Sequence, residues 1–205
     1  MSNADNIMIL EIARKFSVVP PGLPGIRFRS LRGGQAADTL PREAKLLLTA
    51  PDYSDIRQRI AAYKQETGHD ITQRIRGKSL EIAAACGDPG CERNAVSILM
   101  DFAGALPFVG EEIKEFIDFY NTYIHFGSDG AAWDIDFTDR IFLNAGMIDM
   151  TPEAARLILA IQCPSCCLEE HIFEALMPIL NRYDMGLLKP VREKECEPDA
   201  AEENN

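Results

Sequence analysis

The chain has little positive charge. Its 21 lysines and arginines are outnumbered by 32 aspartates and glutamates, which gives a formal net charge of −11 at pH 7. A phosphate backbone repels a chain this acidic, so we expect no nucleic-acid partner. The sequence also lacks an apolar run of about 18 uncharged residues, because the nearest candidate, residues 95–110, is too short and contains Asp101. We therefore expect no transmembrane segment.

The N-terminus lacks the pattern of a secretory signal peptide, since Asp5 and Glu11 interrupt its only apolar run. We expect a cytoplasmic protein, or one that is exported by a dedicated secretion system reading another signal. Six cysteines in such a chain are expected to be reduced thiols. A length of 205 residues and a hydrophobic fraction of 46% are typical of a globular protein with one good core.

Alternating strand patterns do not continue beyond about five residues, whereas helical spacing recurs after Pro41. The sequence therefore predicts an all-α protein, an irregular bundle of about eight helices. The helices are expected at these places: from Asn3 or Asp5 to Phe16, 42–49, 52–67, 70–85 as two helices, 88–103, 107–124, 138–145, 151–159 and 166–183. Gly68 is expected to close one of them, and Pro178 to bend the last.

The same pattern divides the chain into three parts. Residues 1–40 are expected to form an N-terminal helix and a Pro/Gly-rich arm, in which Arg27, Arg29 and Arg32 make the one locally basic stretch. Residues 41–188 form the helical domain. Residues 189–205 are charged and small, and a disordered acidic tail is predicted there.

Residues 42–82 include the run KLLLTAPDYSDIRQRIAAYKQETGHDITQRI. This run resembles part of an annexin repeat, with an aliphatic helix ending in a turn, an Arg-Gln-x-Ile helix, and a Gly-x-Asp step into the next helix. The resemblance covers one repeat and implies helical packing. Annexins bind calcium through a Gly-x-Gly-Thr loop and a distant acid, but the corresponding loop here reads Gly33-Gly34-Gln35-Ala36, and Lys78 stands near the position of the acid. Calcium-dependent membrane binding is therefore not expected.

A second resemblance covers residues 101–150, which read DFAGALPFVGEEIKEFIDFYNTYIHFGSDGAAWDIDFTDRIFLNAGMI up to residue 148. This segment is similar to the pre-toxin segments that precede the toxic domain in bacterial polymorphic toxins. The features shared in order are Pro107, Gly110, Gly127, Trp133, Arg140 and Gly146. The resemblance implies a bacterial protein with a link to toxin or effector delivery.

The cysteines suggest a metal site. Cys163 and Cys166 have the two-residue spacing with which two thiolates reach one tetrahedral zinc ion, and Cys86 and Cys91 could complete the site. The alternatives are that these residues are small buried hydrophobes at helix ends, or that the Cys-Pro-Ser-Cys motif is a thiol-redox pair. The leading interpretation has no cofactor, and the alternative has zinc.

Catalytic residues cannot be assigned from the sequence. Cys167 and His171 lie one helical turn apart, but no oxyanion-hole loop or orienting acid accompanies them. The acids between Asp129 and Asp139 do not fit the register of an EF-hand. The leading hypothesis is a non-catalytic helical protein-interaction module with a protein partner. The alternatives are a zinc-stabilised or thiol-redox helical protein, and a small helical enzyme whose site is assembled from distant residues.

Overall fold

The structure is a computed structural model, and it describes residues 6–86, 94–124, 142–163 and 169–188. Eight strands and four helices lie within these ranges. In chain order they are β1 (Asn6–Lys15), β2 (Arg27–Gly33), β3 (Glu43–Thr49), α1 (Ser54–Thr67), β4 (Ile71–Arg76), β5 (Ser79–Ala85), α2 (Ala95–Gly104), α3 (Glu111–Tyr123), β6 (Phe142–Met150), β7 (Ala154–Cys163), α4 (Glu169–Arg182) and β8 (Gly186–Leu188). None of these helices combines the length and apolarity that crossing a bilayer requires.

The strands form one sheet in the order β4-β5-β3-β2-β6-β7-β1-β8, and every neighbouring pair is antiparallel. The prediction of an all-α helical bundle is therefore wrong, and the protein is a mixed α/β fold built on a large antiparallel sheet. Of the helices expected from the annexin resemblance, α1 alone is observed, because the residues around it form β3, β4 and β5.

The N-terminal segment shows why the sequence was misleading. Alternate residues from Met8 to Phe16 are buried, which is the period of a strand with one covered face. The segment contains so many apolar residues that a helical stripe through Ile7, Leu10 and Ala13 fits it equally well. The helices expected over 42–49 and 151–159 fail for a second reason, since their leucines and alanines favour helices and only cross-strand packing selects the strand.

The four observed helices correspond to predicted ones. Gly68 does close α1, in the left-handed conformation with φ 68°, and its N–H donates to the Lys64 carbonyl at 3.0 Å. Asn94 caps α2 by accepting from the N–H groups of Val96 and Ser97. Pro178 lies inside α4. The predicted helix over 138–145 is contradicted in its described part, where residues 142–145 belong to β6.

The sheet contains one four-stranded arrangement twice. In the first repeat, β2-β3-α1-β4-β5, the strands lie in the order β4-β5-β3-β2. In the second repeat, β6-β7-α4-β8 with β1, they lie in the mirrored order β6-β7-β1-β8. The N-terminal strand therefore completes the C-terminal repeat. The two repeats meet where β2 pairs with β6, at Arg32↔Asp149 and its neighbours, and this junction is called the seam below.

The registers and the sequence match this repeat residue by residue. Residues 10–13 of β1 and 80–83 of β5 both read Leu-Glu-Ile-Ala. Their neighbours Arg156 and Lys45 pair with the same position of that motif, at Ala13 and Ala83. Both seam strands are irregular at equivalent points, Phe28/Ser30 in β2 and Ala145/Met147 in β6. The two halves are thus related by an approximate twofold axis through the seam.

The helices cover one face of the sheet. The inward side chains of the strands and the apolar stripes of all four helices form one cluster of buried residues. The α2 helix packs on β2, β3, β5 and β6, and Tyr63 of α1 contacts Phe102 of α2 edge-on. Ile9 and Ala160 are also buried but lie outside this cluster, because their side chains are on the opposite face. That opposite face carries none of the four described helices and is called the open face below.

Candidate functional site

The open face has a row of charged side chains across its centre. Residues that pair across neighbouring strands share a face, so the registers place Lys45, Arg32, Asp149 and Arg156 side by side on β3, β2, β6 and β7. Arg32 donates from Nε to Asp149 Oδ1 at 2.8 Å, with side-chain exposures of 65% and 55%. Three cations therefore stand against one carboxylate where the two repeats meet.

A shallow pocket of about 210 Å³ lies at this row. Its charged lining is Arg32, Asp149 and Arg156, and its apolar lining includes Met147 and Ile158. The backbone of Gly34 also lines it and lies against Gly146, so that a Cβ on residue 34 would be 1.8 Å from the Gly146 carbonyl oxygen. The seam thus brings two backbones together more closely than side chains would allow.

Each repeat carries a glutamate at the same place on the open face. Glu11 of β1 accepts two hydrogen bonds from Arg156, one of them from Nη2 at 2.9 Å. These bonds lower the pKa of Glu11, although burial opposes them. In the other repeat, the hydrogen bond from Arg74 lowers the pKa of Glu81, and Arg76 adds to it. Both carboxylates are therefore held ionised beside a guanidinium from a neighbouring strand.

The half of the open face made by β2–β5 is positively charged. Its cations are Arg29, Arg32, Lys45, Arg74 and Arg76, and they stand against the two carboxylates of Glu43 and Glu81. A depression of about 360 Å³ lies among them, lined in part by Lys45, Arg74 and Glu81. This set is called the cationic half below. Among the described residues, Lys45 has no ion pair within 4.0 Å.

Negative charge is concentrated on the helical side. The α3 helix carries Glu111, Glu112, Glu115 and Asp118, and α4 carries Glu169, Glu170 and Glu174. Among the described residues, the acidic helices therefore lie behind the sheet and the cationic area lies in front of it.

The other half of the open face, made by β6, β7, β1 and β8, carries a group of apolar side chains beside Glu11, Asp149 and Arg156. Ile7, Phe142 and Leu188 are exposed at 60%, 52% and 49%. Met147 and Ile158 are half-buried beside them. The ladder registers place all five on the same face as Glu11. These residues are called the apolar half below.

The helical side also has a depression, of about 490 Å³, between α2 and α3. Its polar groups include Asn121, whose Nδ2 donates to the Met100 carbonyl at 2.9 Å. The nearby Tyr63 hydroxyl donates to Asp101 at 2.9 Å. Burial raises the pKa of this tyrosine, and the hydrogen bond to Asp101 raises it further. These contacts join helix to helix, so we attribute them to packing.

The structure describes two of the four predicted zinc ligands, Cys86 and Cys163. Cys86 directly follows β5 and is buried, and its backbone N–H donates to the Arg42 carbonyl at 2.8 Å. Cys163 is the last residue of β7. Cys91 and Cys166 lie outside the described residues, as does Cys167, so the zinc site stays a prediction. Within the described ranges, no three histidine, cysteine, aspartate or glutamate side chains come together as metal ligands would.

The residues of the open face were mostly missed from the sequence. Arg29 and Arg32 belong to the locally basic stretch, but Lys45, Asp149 and Arg156 were not noted. The repeated Leu-Glu-Ile-Ala, together with Ala-Lys-Leu-Leu-Leu at 44–48 and Ala-Arg-Leu-Ile-Leu at 155–159, was the signal that could have found them. These two matches alone align Lys45 with Arg156 and Glu81 with Glu11.

Comparisons with known proteins add little. No family model matches the chain, and no curated protein does so either. The chain is similar in structure to aminoacylhistidine dipeptidase from Vibrio alginolyticus, with 12% sequence identity and a TM-score of 0.35. The match covers 90% of this chain and 44% of the dipeptidase chain, so this chain spans less than half the length of that protein. A likeness this distant carries no argument about function.

Proposed function

We propose that this chain is a protein-interaction module that binds an acidic segment of a partner protein on the open face of its sheet. The observation that carries the proposal is the cationic half, which faces solvent in a chain of net charge −11. An antiparallel sheet with helices on one face often leaves the other face to water. Here that face carries arginines and a lysine in two depressions.

The charge distribution favours an acidic partner. Opposite electrostatic potentials on two proteins speed their association and favour the correct partner. At physiological ionic strength, these interactions act over about 8 Å. A partner carboxylate that reaches Lys45 or Arg29 lies within this distance of the cationic half but is separated by the sheet from the acidic helices. Among the described residues, repulsion of a partner carboxylate is therefore weakest at this face.

A protein partner is favoured over a nucleic acid. Single-stranded nucleic acids bind to sheets by stacking bases on aromatic rings. In the described part of the chain, the cationic half contains no aromatic side chain. The net charge of −11 also repels a long polyphosphate. The link to toxin or effector delivery rests on the sequence resemblance alone.

The test uses a fluorescein-labelled peptide of about ten glutamates as the acidic probe, with fluorescence anisotropy as the readout. We expect binding that weakens as salt is added. The combined variant Lys45→Glu and Arg29→Glu should abolish it, whereas Lys64→Glu with Lys114→Glu, the same charge change on α1 and α3, should retain it. Absence of salt-dependent binding by the native chain, or an equal loss in both variants, would refute the proposal.

A further inference from the structure

We infer that the open face binds one amphipathic segment, whose carboxylates lie on the cationic half and whose apolar side chains lie on the apolar half. This inference rests on the proposed function, because it concerns the same face. It specifies the partner further: an acidic block and an apolar block that are adjacent in one short stretch of chain.

The first support is the way in which the two repeats differ. Both keep the glutamate and the cation, as Glu81 with Lys45 and Glu11 with Arg156. Around this shared pair, polar residues of the first repeat are replaced by apolar ones in the second. The register-equivalent pairs are Ser79 and Ile9, Ser30 and Met147, and Arg74 and Leu188. One face therefore presents two chemically different halves on the same backbone frame.

The second support is the exposure of the apolar half. Ile7, Phe142 and Leu188 are each about half exposed, on strands whose other faces pack against the core. Water-exposed side chains of this size, grouped on one face and next to a charged area, are typical of a binding surface. Burying Phe142 and Leu188 against a partner would remove apolar area from water at the general gain of about 25 cal/mol per Å².

The third support is distance. Neighbouring strands are about 4.8 Å apart, so the three steps from β3 to β7 span roughly 14 Å. An extended chain reaches at most about 3.3–3.6 Å per residue, so five residues are enough to go from Lys45 to Ile158, which is at the near edge of the apolar half. A single short segment can therefore place carboxylates near Lys45 and apolar side chains near Ile158 at the same time.

The experiment compares three labelled peptides. The block peptide has four glutamates, one glycine and then Leu-Phe-Leu-Leu. The acid-only peptide has serines in place of those four, and the mixed peptide has the composition of the block peptide with the two kinds of residue interleaved. We expect the block peptide to bind the native chain about tenfold more tightly than either of the others.

Variants assign this gain to the apolar half. Phe142→Ser with Leu188→Ser should reduce the advantage of the block peptide to less than about twofold and leave acid-only binding unchanged. The matched control, Val18→Ser with Met177→Ser, removes two exposed apolar side chains elsewhere and should retain the full advantage. Circular dichroism of each variant shows whether the fold is kept.

The outcomes separate the two proposals. If the acid-only peptide binds through Lys45 and Arg29 but the block peptide gains nothing, the amphipathic inference is wrong and the proposed function stands. Equal binding of the block and mixed peptides, or equal losses in the two serine variants, overturns the inference as well. If no peptide binds, both proposals fail. A native chain that sediments as a dimer, and becomes monomeric on Phe142→Ser with Leu188→Ser, would show that a second copy covers the apolar half instead.

Discussion

Replacing Gly34 by alanine should destabilise the protein strongly, because the seam requires that residue 34 has no side chain. Gly34 has a φ of +81°, in the region that residues with a Cβ rarely adopt. An added Cβ would lie 1.8 Å from the Gly146 carbonyl oxygen and 2.8 Å from its carbon. Such atoms are normally about 3.5 Å apart. Because both Gly146 atoms belong to the backbone, they cannot move aside as a flexible side chain could. The strands at the seam must therefore separate.

The expected loss has two parts. The left-handed conformation costs an alanine about 1–2 kcal/mol. Overpacking of a close contact typically costs about 1–3 kcal/mol more. The free energy of unfolding of Gly34→Ala should thus fall by about 2–5 kcal/mol, which is a large part of the stability of a typical domain. Urea unfolding at neutral pH, followed by circular dichroism, measures this fall.

Gly22 provides the matched control. It has a similar φ of +90°, but an added Cβ would meet no atom within 4 Å. Gly22→Ala should therefore show the conformational cost alone, about 1–2 kcal/mol. The difference between the two variants isolates the contact at the seam. If Gly34→Ala loses no more stability than Gly22→Ala, the close approach of the two repeats is not what holds the seam.

Three other changes test the cap of α2, the Glu11 ion pair and the order of the repeats. Asn94→Ala removes the cap of α2 and the hydrogen bond from Asn94 Nδ2 to the Ala145 carbonyl at 3.0 Å. Urea unfolding should therefore show that the free energy of unfolding falls by about 2–3 kcal/mol. A fall of less than about 0.5 kcal/mol would contradict this prediction. The pKa of Glu11 is lowered, so its ion pair with Arg156 stabilises the fold at pH values above the ordinary glutamate pKa of 4.5, and this contribution is lost as the pH falls through the lowered pKa. Between neutral pH and about pH 3, the free energy of unfolding of Glu11→Gln should therefore fall by less than that of the native chain. An equal fall would argue against the ion pair. A circular permutant can begin at Leu23 and join Leu188 to Asn6 through about seven linker residues. It should fold with a native circular dichroism spectrum, because β8 is antiparallel to β1 and runs toward the N-terminal end of β1. An unfolded permutant would count against the repeat.

The helices were predictable because their signals are local. Gly68 ends α1, and acids in the first turn of α3 match the helix dipole, so a few neighbouring residues are enough to place each element. The strands depend on partners far away in the chain. β1 pairs with β7 at Asn6↔Cys163, and no local pattern reveals that partner. Without it, the apolar run of β1 fits a helix as well as a strand.

The site was unpredictable for a related reason. Arg32 is near Lys45 in sequence, but Asp149 and Arg156 join them only because β2 and β6 pair at the seam. The charged residues along the chain therefore suggest an acidic protein with a basic arm. In the folded sheet, Arg29 and Arg32 of that arm lie on β2 and form part of the cationic half. The two internal matches, 10–13 with 80–83 and 44–48 with 155–159, were the sequence signals that carry this long-range information.

The permuted repeat also explains the proline- and glycine-rich stretch that follows β1. Since β1 completes the second repeat and β2 begins the first, residues 16–26 must cross from one half of the sheet to the other, past β7 and β6. This crossing is held on the helical side: the Ser17 hydroxyl donates to Glu112 of α3 at 2.8 Å, and the Val109 N–H donates to the Ile26 carbonyl at 2.8 Å. A connection fixed at these two ends does not lie over the charged row of Arg32 and Asp149. The long arm is therefore structural, and it does not cover the charged row on the open face.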